Sequence, residues 1–139
     1  MAVKGLKRNI FQRILGICVT KPPADPTCWE HAGGKVTVTL ARAPELTAKC
    51  GAVRLEGKGL PRRVLVYRDD AGALRAIENK CAHKGRRVDP VPGEGILQCC
   101  SVNAAAYEYS GKKIEGPGEG QVAPLELREE GGHAVIRLA

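Results

Sequence analysis

Cys81-Ala82-His83-Lys84-Gly85 and, one strand later, Cys99-Cys100-Ser101-Val102-Asn103 are the two stretches on which the reading of this chain turns. A cysteine and a histidine two residues apart in a glycine-containing turn bring a sulfur and a ring nitrogen to one small inorganic centre. Each stretch follows an apolar run that reads as a strand, which gives a ligand loop a rigid base. The other cysteines are Cys18, Cys28 and Cys50, making six in all. An even count suits disulfide pairing in a secreted protein. The N-terminus is a poor signal peptide, because Gln12 and Arg13 interrupt its apolar run and no clean small-residue cleavage site follows. Thiolate ligands are therefore the better reading of Cys81, Cys99 and Cys100. A strained, exchangeable disulfide from the vicinal pair to Cys81 stands as the alternative.

Working outward, the flanking sequence reads as short strands. Val36 to Leu40 alternates, Ala52-Val53-Arg54-Leu55 is bounded by glycine, and Gly95-Ile96-Leu97-Gln98 leads into the second cysteine stretch. Arg63–Arg68 and Ala73–Ile77 flank Asp69-Asp70-Ala71-Gly72, a hairpin turn. Ala106–Tyr109 runs into a turn at Ser110-Gly111, and Leu125–Arg128 with His133–Leu138 forms a last hairpin around Glu130-Gly131-Gly132. Many short strands at regular spacing predict an all-β sandwich or barrel.

The chain has 139 residues, 43% apolar, with 17 glycines, 9 prolines and a formal charge of +7. That is enough apolar chain for a real core and excludes a disordered or collagen-like composition. No apolar run is long enough to span a bilayer as a helix. The charge is uneven: residues 1–21 hold Lys4, Lys7, Arg8, Arg13 and Lys21 and no acid, whereas the rest holds 17 basic and 15 acidic groups. Five aromatic residues in all argue against single-strand nucleic-acid binding, and no nucleic-acid partner is expected. Leu6, Ile10, Ile14 and Ile17 recur at helical spacing. They predict a basic amphipathic helical arm that stops before Pro22-Pro23, packed on its own domain or docked on an anionic membrane surface or a partner. The expected organisation is an arm and Pro-rich linker over 1–34 and a β domain over 35–139, with the ligand loops within 80–111. With no leader or span read, the expected location is cytoplasmic.

In this order and spacing the motifs resemble the Rieske [2Fe–2S] family, its ferredoxin-like branch in particular. That family's pattern is Cys-x-His-x-Gly, some sixteen residues, Cys-x-x-His-Gly, then an aromatic–acid pair and a Ser/Thr-Gly turn. Cys81, His83 and Gly85 match the first loop; Tyr107-Glu108 and Ser110-Gly111 match the later element; Gly116-Pro117 looks like the family's proline loop. The resemblance covers about 105 of the 139 residues, from the strands near Ala41 to the terminal hairpin. It implies an antiparallel β-sandwich or barrel with two ligand loops. It also implies a one-electron carrier that serves a reductase or oxygenase protein and performs no substrate chemistry of its own.

The second loop departs from the pattern. Counting back from Tyr107 puts the ligand cysteine at Cys100 and the histidine position on Asn103; counting forward along Leu97-Gln98-Cys99 puts it on Val102. Neither register supplies a second imidazole, and an amide oxygen is a poor ligand for cluster iron. Three outcomes follow. Cys81, His83, Cys99 and Cys100 hold a three-cysteine, one-histidine [2Fe–2S] cluster; or Cys28-Trp29-Glu30-His31 lends a ligand; or the cluster is absent. In the last case the domain is an interaction module like the small subunit of assimilatory nitrite reductase. A structural zinc site on the same Cys₃His set is a further option. Cys18, Cys28 and Cys50 read as packing or loop thiols, and His31 and His133 as surface residues. Arg86 occupies a position where high-potential members carry a disulfide cysteine, so that bridge is not expected. Lys80, Lys84, Arg86 and Arg87 surround the first loop, either as a solvated basic loop or as a surface that steers an acidic redox partner.

Overall fold

The computed structural model describes residues 20–48, 51–69, 71–80, 87–91, 95–99, 106–115 and 122–138. Two antiparallel sheets build the fold. The larger has seven strands: β1 (Trp29–Ala32), β2 (Lys35–Thr39), β3 (Ala52–Leu55), β4 (Val64–Arg68), β5 (Leu74–Glu78), β10 (Pro124–Glu130) and β11 (His133–Arg137). Their spatial order is β1-β2-β11-β10-β5-β4-β3. The smaller sheet contains β6 (Val88–Val91), β7 (Ile96–Cys99), β8 (Ala106–Glu108) and β9 (Lys113–Glu115), in chain order. The all-β expectation holds.

The larger sheet curls until its two edge regions meet. Lys58, just past β3, donates from Nζ to the carbonyls of Pro26 and Trp29 beside β1, and its ammonium lies 4.3 Å from the Trp29 ring centroid. The enclosed face buries Trp29, Val36, Val38, Val53, Val64, Val66 and Ile136. Along β4 every residue from Val64 to Tyr67 is buried. Val64 and Val66 face the inside of the curl, while Leu65 and Tyr67, with Ile77 of β5, face the smaller sheet's Val88, Leu97, Cys99 and Tyr107. A strand covered on both sides reads as a continuous apolar run rather than an alternation, and this explains the sequence of β4.

Three strands were not foreseen: β1, β6 and the three-residue β9. β1 pairs with β2 through Gly33-Gly34, whose φ values of 59° and 72° suit a two-residue hairpin turn. The sheet therefore begins at Trp29, and Cys28 and Trp29 are core residues. β6 reads Val88-Asp89-Pro90-Val91, and its proline and acid hide its strand character. It lies at a sheet edge, where a proline is tolerated. Buried Asp89 accepts from the Thr20 N–H at 3.0 Å. Residues 20–25 form a strap rather than a helix, with the Lys21 carbonyl accepting from Arg54 N–H on the outer edge of β3. Most of the expected helical arm, residues 1–19, lies outside the described residues. Among the described residues no helix is long and apolar enough to cross a membrane.

Candidate metal centre

The strand registers of the smaller sheet gather its loop anchors at one end. Val88 opposes Cys99, Gln98 opposes Ala106, and Ala106 opposes Glu115. The start of β6, the end of β7, the start of β8 and the end of β9 are therefore neighbours. The segments 81–86, 100–105 and 116–121 attach at these anchors and lie outside the described residues. With them go Cys81, His83, Cys100, Asn103 and Pro117, together with Lys84 and Arg86; Cys18 and Cys50 likewise lie outside.

Cys99 is described. It is fully buried at the last position of β7 and faces the core between the sheets with Leu97, Val88 and Tyr107. Its side-chain direction follows from strand alternation: Leu97 and Cys99 share the inner face, and Gln98 points away. The cysteine thus sits where the inter-sheet core reaches the loop-bearing end. Among the described residues no cluster of three or more His, Cys, Asp or Glu side chains stands ready for a metal. The set predicted from sequence, three thiolates and one imidazole, is chemically suited to iron–sulfur iron. The buried position of Cys99 beside the loop anchors fits that use.

The arm motif is placed differently. Cys28 is buried in the core of the larger sheet, and burial pushes its thiol above the usual range. His31 lies on β1, with Nδ1 3.3 Å from the Lys58 carbonyl. Both are built into the closure of the large sheet.

Two polar devices frame the first loop, and the sequence reading missed both. Asn79, 1% exposed, accepts from Val88 N–H through its side-chain oxygen at 2.8 Å, so the chain entering and the chain leaving residues 80–87 are tied together. Its own N–H donates to the Arg63 carbonyl at 2.8 Å, and its carbonyl accepts from Arg63 Nε at 3.1 Å. The second device is a two-pronged ion pair from Arg87 to Glu56, with both N···O distances 2.6 Å. It joins the start of β6 to the end of β3. Arg87 holds the Glu56 carboxyl below its ordinary range, burial opposes the shift, and Arg54 and Arg63 add to the lowering. An asparagine two residues before Cys81 was the available signal for the first device. The second links residues 31 apart and left none.

Beyond Tyr107, Gly111 fixes the chain at φ 96°, and a Cβ there would lie 2.0 Å from the Val122 carbonyl oxygen. Gly111 N–H donates to the Glu108 carbonyl, and Val122 N–H donates to the Gly111 carbonyl at 2.9 Å. The Ser110-Gly111 turn thereby locates the chain returning after residues 116–121.

A curled seven-stranded sheet with a small four-stranded sheet packed on it, the described loop anchors gathered at one end, defines a small all-β domain. The sequence model of the Rieske [2Fe-2S] domain matches residues 37–126. The chain belongs to that family, whose members are iron–sulfur electron-transfer components of oxygenases or respiratory complexes. The iron-sulfur subunit TsaM1 of the toluene-4-sulfonate monooxygenase system of Comamonas testosteroni is 34% identical over 61 residues, 44% of this chain and 18% of that protein. The chain thus spans less than a fifth of that relative's length. Among solved structures, the plasma membrane Rieske protein PetC3 from Synechocystis PCC 6803 superposes with a TM-score of 0.54 at 22% identity, covering 68% of this chain and 92% of that one. A quaternary ammonium Rieske monooxygenase superposes at 0.55 and 17% identity, covering 80% of this chain and 31% of that one. At these identities the two structures share the fold.

Proposed function

We propose that the chain is a one-electron transfer component, holding a [2Fe–2S] cluster through Cys81, His83, Cys99 and Cys100 and serving a partner oxidoreductase. The observation that carries this reading is the convergence of the three loop anchors on one end of the small sheet, with a fully buried cysteine among them. When bound there, such a cluster would supply one-electron redox chemistry. The protein's part is to hold the loops and exclude water. Asn79 and the Arg87–Glu56 pair brace the two ends of the first loop, and Leu97, Val88 and Tyr107 close the apolar floor. Ordinary Rieske centres, with two neutral imidazoles, lie at about −150 to +300 mV, and all-cysteine plant-type clusters near about −400 mV. A third thiolate adds negative charge, so the expected potential lies below the ordinary Rieske range. The relative's role as an iron-sulfur subunit of a monooxygenase system supports an oxygenase component or its reductase as the partner class.

Val102 and Asn103, standing where a second histidine is expected, favour a second reading in which the domain is a cluster-free interaction module. Anaerobic purification with iron, acid-labile sulfide and zinc analysis separates the readings. Two irons and two sulfides per chain, with colour lost in Cys81→Ser, is the expected result. Colourless protein after reconstitution overturns the electron-carrier reading, and one zinc per chain replaces it with a structural zinc site.

A further inference from the structure

The charge around the loop-bearing end is not a local property of residues 80–87. Strand pairing brings Leu55 opposite Val64 and Val64 opposite Glu78, so the end of β3, the start of β4 and the end of β5 lie side by side. Arg54, Arg62, Arg63, Lys80 and Arg87 meet there, with Lys21 alongside through its backbone bond to Arg54. Against these six cations stand, among the described residues, Glu56, Glu78 and the buried Asp89, which accepts from Thr20 N–H beside Lys21. Arg87 engages Glu56 in two-pronged fashion, with Arg54 at 3.7 Å from the same carboxylate, and Arg62 lies 3.5 Å from Glu78. Three carboxylates, one of them buried, cannot neutralise six cations, and Arg62 and Lys80 remain exposed.

The far hairpin is arranged differently. Glu126 and Glu130 pair with Arg128 and Arg137 at 3.4–3.9 Å, and Arg68 reaches Glu129 at 3.8 Å. That surface is balanced; among the described residues, the face around Arg62 and Lys80 is not. The imbalance also changes the roles expected from sequence. Arg87 is held inward by Glu56, and the outward charge comes from Arg62, Lys80 and Lys21.

We infer that this end of the barrel, centred on Arg62 and Lys80, is a docking face for an acidic surface of a redox partner protein. The inference rests on the electron-transfer reading above and adds the partner's chemistry. The face adjoins the anchors of the first ligand loop, so a partner seated on it lies beside the proposed cluster. Transient redox encounters bury little area, and complementary charge then sets the rate and orientation of encounter. The fixed Arg87–Glu56 pair gives the face a rigid floor, while the exposed Arg62 and Lys80 supply attraction that screens with salt.

The test uses an acidic plant-type ferredoxin as probe, titrated into the isotope-labelled full chain while amide shifts are followed. Iron content is measured on the same sample, so failure of docking is distinguishable from absence of a cluster. Shifts are expected at residues 54–56, 62–63, 78–80 and 87, with a Kd that rises about tenfold between 50 and 300 mM salt. Arg62→Glu and Lys80→Glu should each weaken binding by about fivefold with an unchanged melting temperature, and Arg128→Glu on the far hairpin by less than about twofold. No binding, salt-independent binding, shifts on the β10–β11 hairpin, or equal effects of the three variants overturn the inference. So does co-sedimentation with phosphatidylserine vesicles that Arg62→Glu and Lys80→Glu abolish while ferredoxin binding is unaffected.

Discussion

Removal of the Asn79 side chain tests the framing of the first loop most directly. Its oxygen is the acceptor for Val88 N–H at 2.8 Å, and Val88 is fully buried. In Asn79→Ala that N–H loses its partner where water cannot replace it. The penalty for an unsatisfied buried donor is about 1–3 kcal/mol. At RT ln 10 of about 1.4 kcal/mol, this is roughly a 5- to 150-fold rise in amide exchange at Val88. For a chain of this length the same loss lowers the melting temperature by about 3–10 °C. Asn79→Asp keeps an oxygen in the same place, and the bond from Arg63 Nε to the residue 79 carbonyl holds a guanidinium nearby. It should retain most of the protection. Hydrogen exchange at Val88, with Val66 in the inner core as control, reads the effect. If Val88 exchanges as in the parent chain, or if Asn79→Asp falls as far as Asn79→Ala, the bracket is not what holds the loop ends together.

Two further outcomes follow from the same physics. Gly111→Ala should cost about 2–4 kcal/mol, since the new Cβ meets the Val122 carbonyl as well as an unfavourable φ; Gly72→Ala, at φ 88° in open space, should cost only about 1–2 kcal/mol. Equal urea midpoints for the two variants would remove Gly111 from its role in locating the return after residue 121. At the β4–β5 turn, Arg75 holds the Asp69 carboxyl below the ordinary range through a 2.8 Å bond, aided by the N–H groups of Ala71 and Ala73. The folded state thus binds that proton more weakly than the unfolded chain. The stabilisation is complete above the unfolded value of about 4 and is lost as pH falls through the lower folded value. Urea midpoints measured from pH 6 down to pH 2 should fall less steeply in Asp69→Asn than in the parent chain, and parallel curves would show that the pair contributes nothing.

Much of this was legible in the sequence because the signals were local. Alternation gave β2 and β3, turn residues gave the β4–β5 and β10–β11 hairpins, and the spacing of Cys81, His83, Tyr107 and Gly111 gave the family. β1 was missed although Gly33-Gly34 marked its hairpin, since the Pro-rich stretch before it read as linker. β6 was missed because Asp89 and Pro90 are poor strand residues. The long-range bond from Thr20 and an edge position suit them to that place.

By itself the sequence determined an all-β Rieske domain with three thiols and one imidazole in its loop motifs, and the loss of a second histidine. These are matters of residue type and short spacing. Tertiary structure decided that Cys28 and Trp29 belong to the core and that Arg87 is bound to Glu56. It also decided that Arg54, Arg62 and Lys80 share one face. Those facts depend on which strands lie side by side after the sheet curls, and pairings between residues tens of positions apart leave no periodic trace along the chain.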